Sequence, residues 1–321
     1  MIKEVDFQDE VLRAAKRIKP YKRETYFQYS HYFSKRIDGD VYFKLENMQV
    51  TGSFKVRGAL NKLLNLNKAK RSKGVIAAST GNHGASVAYA ARELDIECTI
   101  YVPKNSSVAK ISNMKSFGAN IQIYGSDCIE AEQKAREISL KKDKVYLSPY
   151  NDSQVITGQG TIGLEITEQC EKLDSIIVSV GGGGLISGIG SYLRFVWPSI
   201  NVIGCSPKNS AVMIHSIMKG EILKMKSKPT ISDGTAGGVE SDSITFPVCC
   251  EIIDDLVLLT ENQIKNAMLS YIKQERQLLE GAAGVAVAAL IKQQKNLRGQ
   301  KVGVVVCGGN ISINTLQKII K

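Results

Sequence analysis

Short apolar runs rich in β-branched residues alternate with amphipathic stretches along most of the chain. Seven of these runs predict strands, and they begin at Val41, Val75, Cys98, Ile121, Ser175, Asn201 and Val302. Between them, apolar residues recur at helical spacing over residues 56–66, 85–94, 107–117, 130–140 and 185–195. Strands that alternate with helices are typical of α/β proteins, and strands that are apolar throughout are covered on both faces. The pattern therefore predicts an α/β fold with open, mostly parallel sheets and helices on both faces.

One block of strands and helices looks self-contained. Residues 73–147 hold four predicted strand-helix units, closed by the turn-forming sequence SPYND. No low-complexity linker divides the chain, so a second domain has to be inserted into the first. We expect a small α/β domain at 73–147 within a large domain made of 1–72 and 148–321. Ligands of open α/β sheets bind at the carboxyl ends of strands, which favours a cleft between the two domains.

Composition excludes several classes of protein. The 321 residues are 43% hydrophobic and 23% charged, as in ordinary globular proteins. No apolar stretch approaches the roughly 20 residues of a membrane span, and the first residues lack the apolar region of a secretory signal. The seven cysteines have no paired spacing, which favours the cytoplasm, and three histidines without CxxC or HExxH give no reason to expect a metal. The net charge of +11 comes with short basic runs at predicted helix ends, without interleaved aromatics, so we expect no nucleic-acid partner.

A run of four glycines follows the predicted strand that begins at Ser175 and precedes the helical sequence LISGIGSYL. Successive glycines let backbone N–H groups converge at a helix N-terminus, which favours a bound phosphate. No Lys-Ser/Thr follows, as a Walker loop requires, and the GxGxxG spacing of dinucleotide sites is absent. The loop therefore predicts a small phosphorylated cofactor.

Two further glycine-bearing turns follow predicted strands. STGNHG at 79–84 leads into a helix and could hold a carboxylate, and CGGN at 307–310 ends the last predicted strand. Each could be a tight connection by itself. Three such turns at strand ends indicate one ligand with several anionic and polar groups.

A lysine supplies the candidate chemistry. Lys55 stands just inside a predicted helix start, in TGSFKVRGA, beside Arg57. The positive end of the helix dipole and the nearby guanidinium disfavour the ammonium form, which leaves a nucleophilic amine. A solvated lysine at a helix start is the alternative.

The motifs SFKVRGA, STGNHG, GGGGL and CGGN, in this order over nearly the whole chain, resemble the threonine/serine dehydratase and serine racemase family. These are two-domain fold-type-II enzymes, like the β subunit of tryptophan synthase, and their cofactor is pyridoxal 5'-phosphate. The resemblance implies that Lys55 forms the Schiff base, that Asn82 meets the ring oxygen of the cofactor and that Cys307 faces the pyridine nitrogen. The other cofactor-binding residues that it implies are Phe54, Gly181, Gly182, Gly183, Gly184, Leu185, Gly234, Glu280 and Gly308. The substrate carboxylate would lie against Ser79, Thr80, Gly81, Asn82 and His83. Glu280 also has a plain structural interpretation, as an acid at a helix start.

The resemblance implies an ammonia-lyase that converts L-threonine, L-serine or a related 3-hydroxy amino acid to a 2-oxo acid and ammonia. A thiol at the pyridine nitrogen leaves the ring neutral and weakens the electron sink, which suits β-elimination with Lys55 as the base. A racemase needs a second acid-base group, and Thr80 keeps a hydroxyl at that position, so the alternatives are a serine racemase or another, β-replacing enzyme of this fold. The divalent-metal ligands and the nucleotide-binding lysine of racemases are replaced by Ser206, Val212 and Val50. We also expect a homodimer without the regulatory C-terminal extension of biosynthetic dehydratases.

Overall fold

The computed structural model describes residues 4–320, which form two β-sheets. In chain order the strands are β1 (Phe27–Tyr29), β2 (Asp40–Lys44), β3 (Val75–Ala78), β4 (Cys98–Val102), β5 (Asn120–Ile123), β6 (Val145–Tyr146), β7 (Ser175–Ser179), β8 (Asn201–Pro207), β9 (Asp255–Leu259) and β10 (Lys301–Val305). The large sheet has the order β1-β2-β10-β7-β8-β9, and the small sheet has the order β5-β4-β3-β6. All neighbouring strands pair in parallel except β1 with β2.

Helices cover both faces of the sheets. They are α1 (Glu4–Ile18), α2 (His31–Ile37), α3 (Lys55–Leu64), α4 (Lys68–Lys73), α5 (Asn82–Glu93), α6 (Val108–Ser116), α7 (Cys128–Lys141), α8 (Ser153–Gln169), α9 (Gly184–Val196), α10 (Val212–Lys219), α11 (Thr245–Ile252), α12 (Glu261–Glu275), α13 (Gly281–Lys292) and α14 (Ile313–Ile320). Within residues 4–320, no helix combines the length and the apolar character that crossing a membrane requires.

The predicted α/β fold with mostly parallel sheets is confirmed. All seven predicted strands are present, and the five predicted helices correspond to α3, α5, α6, α7 and α9. The strands β1, β6 and β9 were not predicted. The block 73–147 holds four strands but only three helices between them, because β6 is followed by α8, which starts at Ser153 and packs against α3 and α9. The domain boundaries at 73 and 147 stay a prediction.

Each sheet with the helices that cover it is here called a layer. Helix α3 connects the two layers, because one of its sides packs against one layer and its other side against the other. Its apolar residues Val56, Leu60 and Leu63 belong to the same buried cluster as Val75 and Ile100 of the small sheet. The core of the large sheet is a separate cluster, built on β7, β8, β10 and α13. The start of α3, where Lys55 lies, is therefore held at the junction of the two cores.

The other side of α3 is fixed by a buried ionic cluster around Arg57. The guanidinium donates to both carboxylate oxygens of Glu46 at 2.7 and 2.8 Å and to both of Glu165, on α8, at 2.7 Å. A fifth bond reaches the Thr161 hydroxyl at 3.2 Å, and Lys44 also donates to Glu165 at 2.7 Å. Arg57, Glu46 and Lys44 have no exposed surface. Every charge in the cluster is thus removed from water and compensated by a partner.

We predict that Arg57→Met lowers the free energy of unfolding by about 3–5 kcal/mol, because it leaves two buried carboxylates without their main partner. Urea denaturation of the purified variant measures the change. The control is Arg298→Met, since Arg298 pairs with Asp38 on the surface at 3.2 Å and exposed pairs contribute at most about 1 kcal/mol. Equal losses in the two variants would show that the cluster does not determine stability.

Candidate active site

The predicted site residues lie where strands end and helices begin, at the carboxyl ends of both sheets. The STGNHG turn connects β3 to α5, the four-glycine run connects β7 to α9, and CGGN follows β10. Lys55 is the first residue of α3. The turns thus face the same end of their sheets, as ligand sites in open α/β sheets do.

Lys55 is half-buried and lies against the loop that precedes α8. Its Nζ donates to the Pro149 carbonyl at 2.7 Å and lies 5.1 Å from the centre of the Phe54 ring. Burial lowers the pKa of Lys55 to about 8, although Cys307 and Glu280 oppose that shift. A substantial fraction of the amine is therefore unprotonated near neutral pH. The sequence predicts this shift from the helix dipole and Arg57, whereas burial is the larger cause.

The four-glycine loop has the geometry of an anion cradle. Among the described residues, the backbone N–H groups of Gly181 to Leu185 meet no hydrogen-bond acceptor, and they stand at the N-terminus of α9. The loop also packs too closely for side chains: a Cβ on Gly182 would lie 2.5 Å from the Tyr150 ring, and Gly183 has a φ of +85°. A phosphate fits this row of donors.

Tyr150 connects the cradle to Lys55. Its ring packs against Gly182, its Cβ and backbone pack against Gly184, and the preceding Pro149 accepts the bond from Lys55. The Tyr150 hydroxyl accepts from the backbone N–H of Glu240 at 2.9 Å. In the sequence this segment is recognisable only as the closing SPYND turn, and neither Pro149 nor Tyr150 was among the predicted site residues.

Cys307 and Phe54 are joined through their backbones. The Phe54 N–H donates to the Cys307 carbonyl at 3.0 Å, and Ser53 forms an isolated bridge with Gly308. Burial raises the pKa of the Cys307 thiol well above its ordinary value, so the side chain is neutral. Among the described residues, the buried Ser53 hydroxyl has no partner. The start of α3 and the end of β10 therefore share one polar recess.

Asn82 and Glu280 meet across the two layers. Nδ2 of Asn82 donates to both carboxylate oxygens of Glu280, at 2.8 and 2.9 Å, and its Oδ1 accepts from Asn310 at 2.8 Å. Burial raises the pKa of Glu280 to about 7. A Cβ on Gly234 would lie 3.4 Å from Glu280 Oε1, which places Gly234 beside the same carboxylate. Asn310 was not among the predicted site residues, although it lies in the CGGN motif.

The STGNHG turn offers a second set of donors. The Ser79 hydroxyl accepts from the Gly81 N–H at 3.1 Å and so shapes the turn. Among the described residues, the Thr80 hydroxyl and the N–H groups of Thr80, Asn82 and His83 have no hydrogen-bond partner. The His83 ring is turned away to the Leu147 carbonyl at 2.8 Å, and burial together with the charge of Lys55 lowers its pKa to about 3. The turn can bind a carboxylate through backbone groups, while the His83 ring stays neutral.

Comparison with known proteins assigns the family. A family model described as pyridoxal-phosphate dependent enzyme matches residues 18–308. The L-threonine ammonia-lyase of Thermotoga maritima is 38% identical over 312 residues, which are 97% of this chain and 77% of that protein. The processed form of threonine deaminase isoform 2 from Solanum lycopersicum superimposes with a TM-score of 0.94 at 31% identity, covering 99% of this chain and 92% of that one. Maize serine racemase gives a TM-score of 0.91 at 31% identity, covering 97% and 96%.

These matches extend over nearly the whole chain, so the predicted fold-type-II architecture and the predicted cofactor are confirmed. Together with the half-buried amine at Lys55 and the N–H cradle before α9, they show that this chain belongs to the pyridoxal-phosphate dependent enzymes.

Proposed function

We propose that the chain is an ammonia-lyase that eliminates water from L-threonine, L-serine or a related 3-hydroxy amino acid, after which hydrolysis of the resulting enamine adds water back and releases a 2-oxo acid and ammonia. The observation that carries the proposal is the placement of a half-buried, partly unprotonated Lys55 next to Phe54, whose N–H is bonded to the carbonyl of Cys307, a residue with a neutral thiol. The L-threonine ammonia-lyases and dehydratases at 36–38% identity support it. The identity of the 3-hydroxy amino acid is open, because specificity in this fold lies on loops.

The residues present fit the cofactor. The N–H groups of Gly181 to Leu185 would hold its phosphate, Lys55 its aldehyde carbon, Asn82 its ring oxygen and Cys307 its ring nitrogen. Phe54, Gly234 and Gly308 would border the ring, with Glu280 behind Asn82. When bound, pyridoxal phosphate supplies an electron-accepting ring that acidifies the Cα–H of an amino acid.

Lys55 moves the proton. A base is most effective when its pKa lies near the working pH, and burial lowers the pKa of Lys55 to about 8. The Pro149 carbonyl, 2.7 Å from Nζ, holds the amine in place and accepts one of its hydrogens. The STGNHG turn would bind the substrate carboxylate, which fixes the Cα–H relative to Nζ.

Cys307 directs the outcome. Its thiol stays neutral because burial raises its pKa, so it places no negative charge at the ring nitrogen and stabilises no positive charge there. With no charge supplied at that position, the bound cofactor would be a weaker electron acceptor, and a weaker acceptor favours loss of the β-hydroxyl from the substrate. The protein's side chains therefore favour elimination over reprotonation.

The first test is release of 2-oxo acid from a panel of 3-hydroxy amino acids, with L-threonine and L-serine included. We expect Lys55→Ala to lower the rate at least about a hundredfold, because general-base catalysis contributes factors of about 10² to 10⁴. The matched control is Lys62→Ala, on the same helix, where the side chain pairs with Asp152 at 2.5 Å. Undiminished release by Lys55→Ala would contradict the proposal, as would a wild type inactive on the whole panel.

A serine racemase is the second candidate. The unpartnered Thr80 hydroxyl at the substrate turn favours it, and so do solved serine racemases with TM-scores of 0.91 and 0.88. Against it, Ser206, at a racemase metal-ligand position, donates to the Val180 carbonyl at 2.5 Å, and Val212 is a buried apolar residue.

We predict that wild type forms pyruvate from L-serine faster than D-serine. Thr80→Ala should abolish the D-serine and leave pyruvate formation within about threefold, because only reprotonation on the far face needs the hydroxyl. Chiral chromatography with a pyruvate assay measures both products. D-Serine that accumulates faster than pyruvate in wild type would establish the racemase instead.

We further propose a cytoplasmic homodimer. All seven cysteines lie within the described residues and none forms a disulfide, which suits a reducing compartment. Tyr26, Tyr29 and Tyr32 are exposed beside the edge strand β1, and two-fold dimers are the commonest oligomers.

Light scattering of the cofactor-loaded protein should give twice the chain mass of 35.1 kDa. The expected mass is unchanged between low and high salt, because a contact built on aromatic side chains depends little on screened charges. A monomer at the concentrations of the activity assay would contradict the proposed dimer.

A further inference from the structure

Three side chains from distant parts of the sequence form one chain of hydrogen bonds at the site. Asn310 donates through Nδ2 to the Thr51 carbonyl and to Asn82 Oδ1, both at 2.8 Å, and Asn82 donates to Glu280. Asn82 begins α5, which packs on the small sheet, whereas Glu280 precedes α13 and Asn310 follows β10 of the large sheet. The chain of bonds therefore crosses from one layer to the other.

The acceptors at the two ends fix the orientation of both amides. A backbone carbonyl can only accept, so the Nδ2 group of Asn310 has to face Thr51. That group also reaches Asn82, which turns Oδ1 of Asn82 toward Asn310 and its Nδ2 toward Glu280. Asn82 Nδ2 lies within hydrogen-bond distance of both oxygens of Glu280, which makes that carboxylate the acceptor, so Glu280 selects the same orientation from the opposite side. A rotated Asn82 amide would place donor against donor at one end and acceptor against acceptor at the other.

This orientation leaves one N–H of Asn82 available. Both bonds to Glu280 start from the same nitrogen, and the two N–H bonds of an amide diverge too widely to point at both oxygens of one carboxylate. One N–H is thus shared between the two oxygens. The second has no acceptor among the described residues.

The surrounding residues fix the position of the Glu280 carboxylate. A Cβ on Gly308 would lie 2.6 Å from Glu280 Oε1, so this glycine leaves the room that the carboxylate occupies. The backbone N–H of Glu280 donates to the Gly308 carbonyl at 3.0 Å, which ties the start of α13 to the residue after Cys307. Glu280 makes no bond to the first N–H groups of its own helix, so its side chain is not used as a helix cap.

We propose that Glu280 and Asn310 are positioning residues for Asn82: together they hold its amide so that the free N–H points to an oxygen acceptor on the pyridoxal phosphate ring. This inference rests on the proposed role of Asn82 in cofactor binding. It assigns to Glu280 an action through Asn82 and no contact of its own with the cofactor.

A double-mutant cycle on cofactor affinity tests the proposal. The variants are Glu280→Gln, Asn82→Ala and the two combined, and the affinity is measured by absorbance titration of cofactor-free protein with pyridoxal phosphate. We expect Glu280→Gln to weaken binding roughly tenfold at pH 8, where most Glu280 side chains are ionised and a neutral acceptor replaces a charged one. In the Asn82→Ala background the same substitution should change affinity less than about twofold, because the side chain it acts through is gone.

The matched control is Glu261→Gln. Glu261 also stands at a helix start, where it accepts from the Ile231 N–H at 2.7 Å, but it does not meet Asn82. We expect its substitution to leave cofactor affinity within about twofold of wild type. Equal effects of Glu280→Gln in both backgrounds, or none in either, would overturn the assignment.

A second variant decides the question if Glu280→Gln does not fold. Asn310 is exposed, and Asn310→Asp cannot donate to Asn82 Oδ1, so the Asn82 amide loses one of its two restraints. The proposal is supported if Asn310→Asp weakens cofactor binding in the otherwise wild-type protein but not in the Asn82→Ala background. Unchanged binding in both backgrounds overturns it. A wild type that binds cofactor but releases no 2-oxo acid would contradict the proposed reaction and leave this assignment intact.

Discussion

The placement of Lys55 depends on the buried ionic cluster around Arg57, two residues later in the same helix. Removing three cations and two carboxylates from water is costly, and only close, multiply bonded geometry compensates for that cost. The cluster consists of Arg57, Glu46, Glu165, Lys44 and Lys22. Because these charges come from the segment before β1, from the end of β2 with the loop after it, from α3 and from α8, their geometry fixes four segments at once. One of them carries the Lys55 amine, and the loop before another, which supplies Pro149, carries its acceptor.

The two sheets are connected at the site by polar contacts rather than by a common apolar core. Lys110 pairs with Asp233 at 3.1 Å and Arg136 with Glu240 at 2.9 Å, and all four side chains are partly exposed. Exposed ion pairs contribute little to stability, so these contacts align the two layers more than they hold them together. The apolar connection runs instead through α3, whose cluster includes the strands of the small sheet. Lys55 therefore stands on a helix that contacts both layers.

Much of this arrangement could be predicted from local sequence. The glycine run, the STGNHG turn and Lys55 have strong signatures, because anion cradles and helix starts depend on neighbouring residues. Helix α8 was missed because TGQGTIG looks unfavourable for a helix, yet its small residues permit close packing: a Cβ on Gly158 would lie 2.7 Å from the Arg57 carbonyl. The strand β1 has three residues, too few for a periodic pattern. Glu280 and Asn82 are 198 positions apart, and no local pattern reveals their contact.

The depressed pKa of Lys55 has a chemical consequence for a chain that has not received its cofactor. With a pKa of about 8, roughly a tenth of this amine is uncharged at pH 7, against less than about a thousandth for an ordinary lysine. The vacant protein would thus present at Lys55 an amine that is more nucleophilic toward sugars, aldehydes and acylating reagents than an ordinary solvent-exposed lysine. Bound pyridoxal phosphate would then protect the Lys55 amine in addition to its part in the reaction. Selective labelling of Lys55 would therefore count the protein molecules that lack the cofactor.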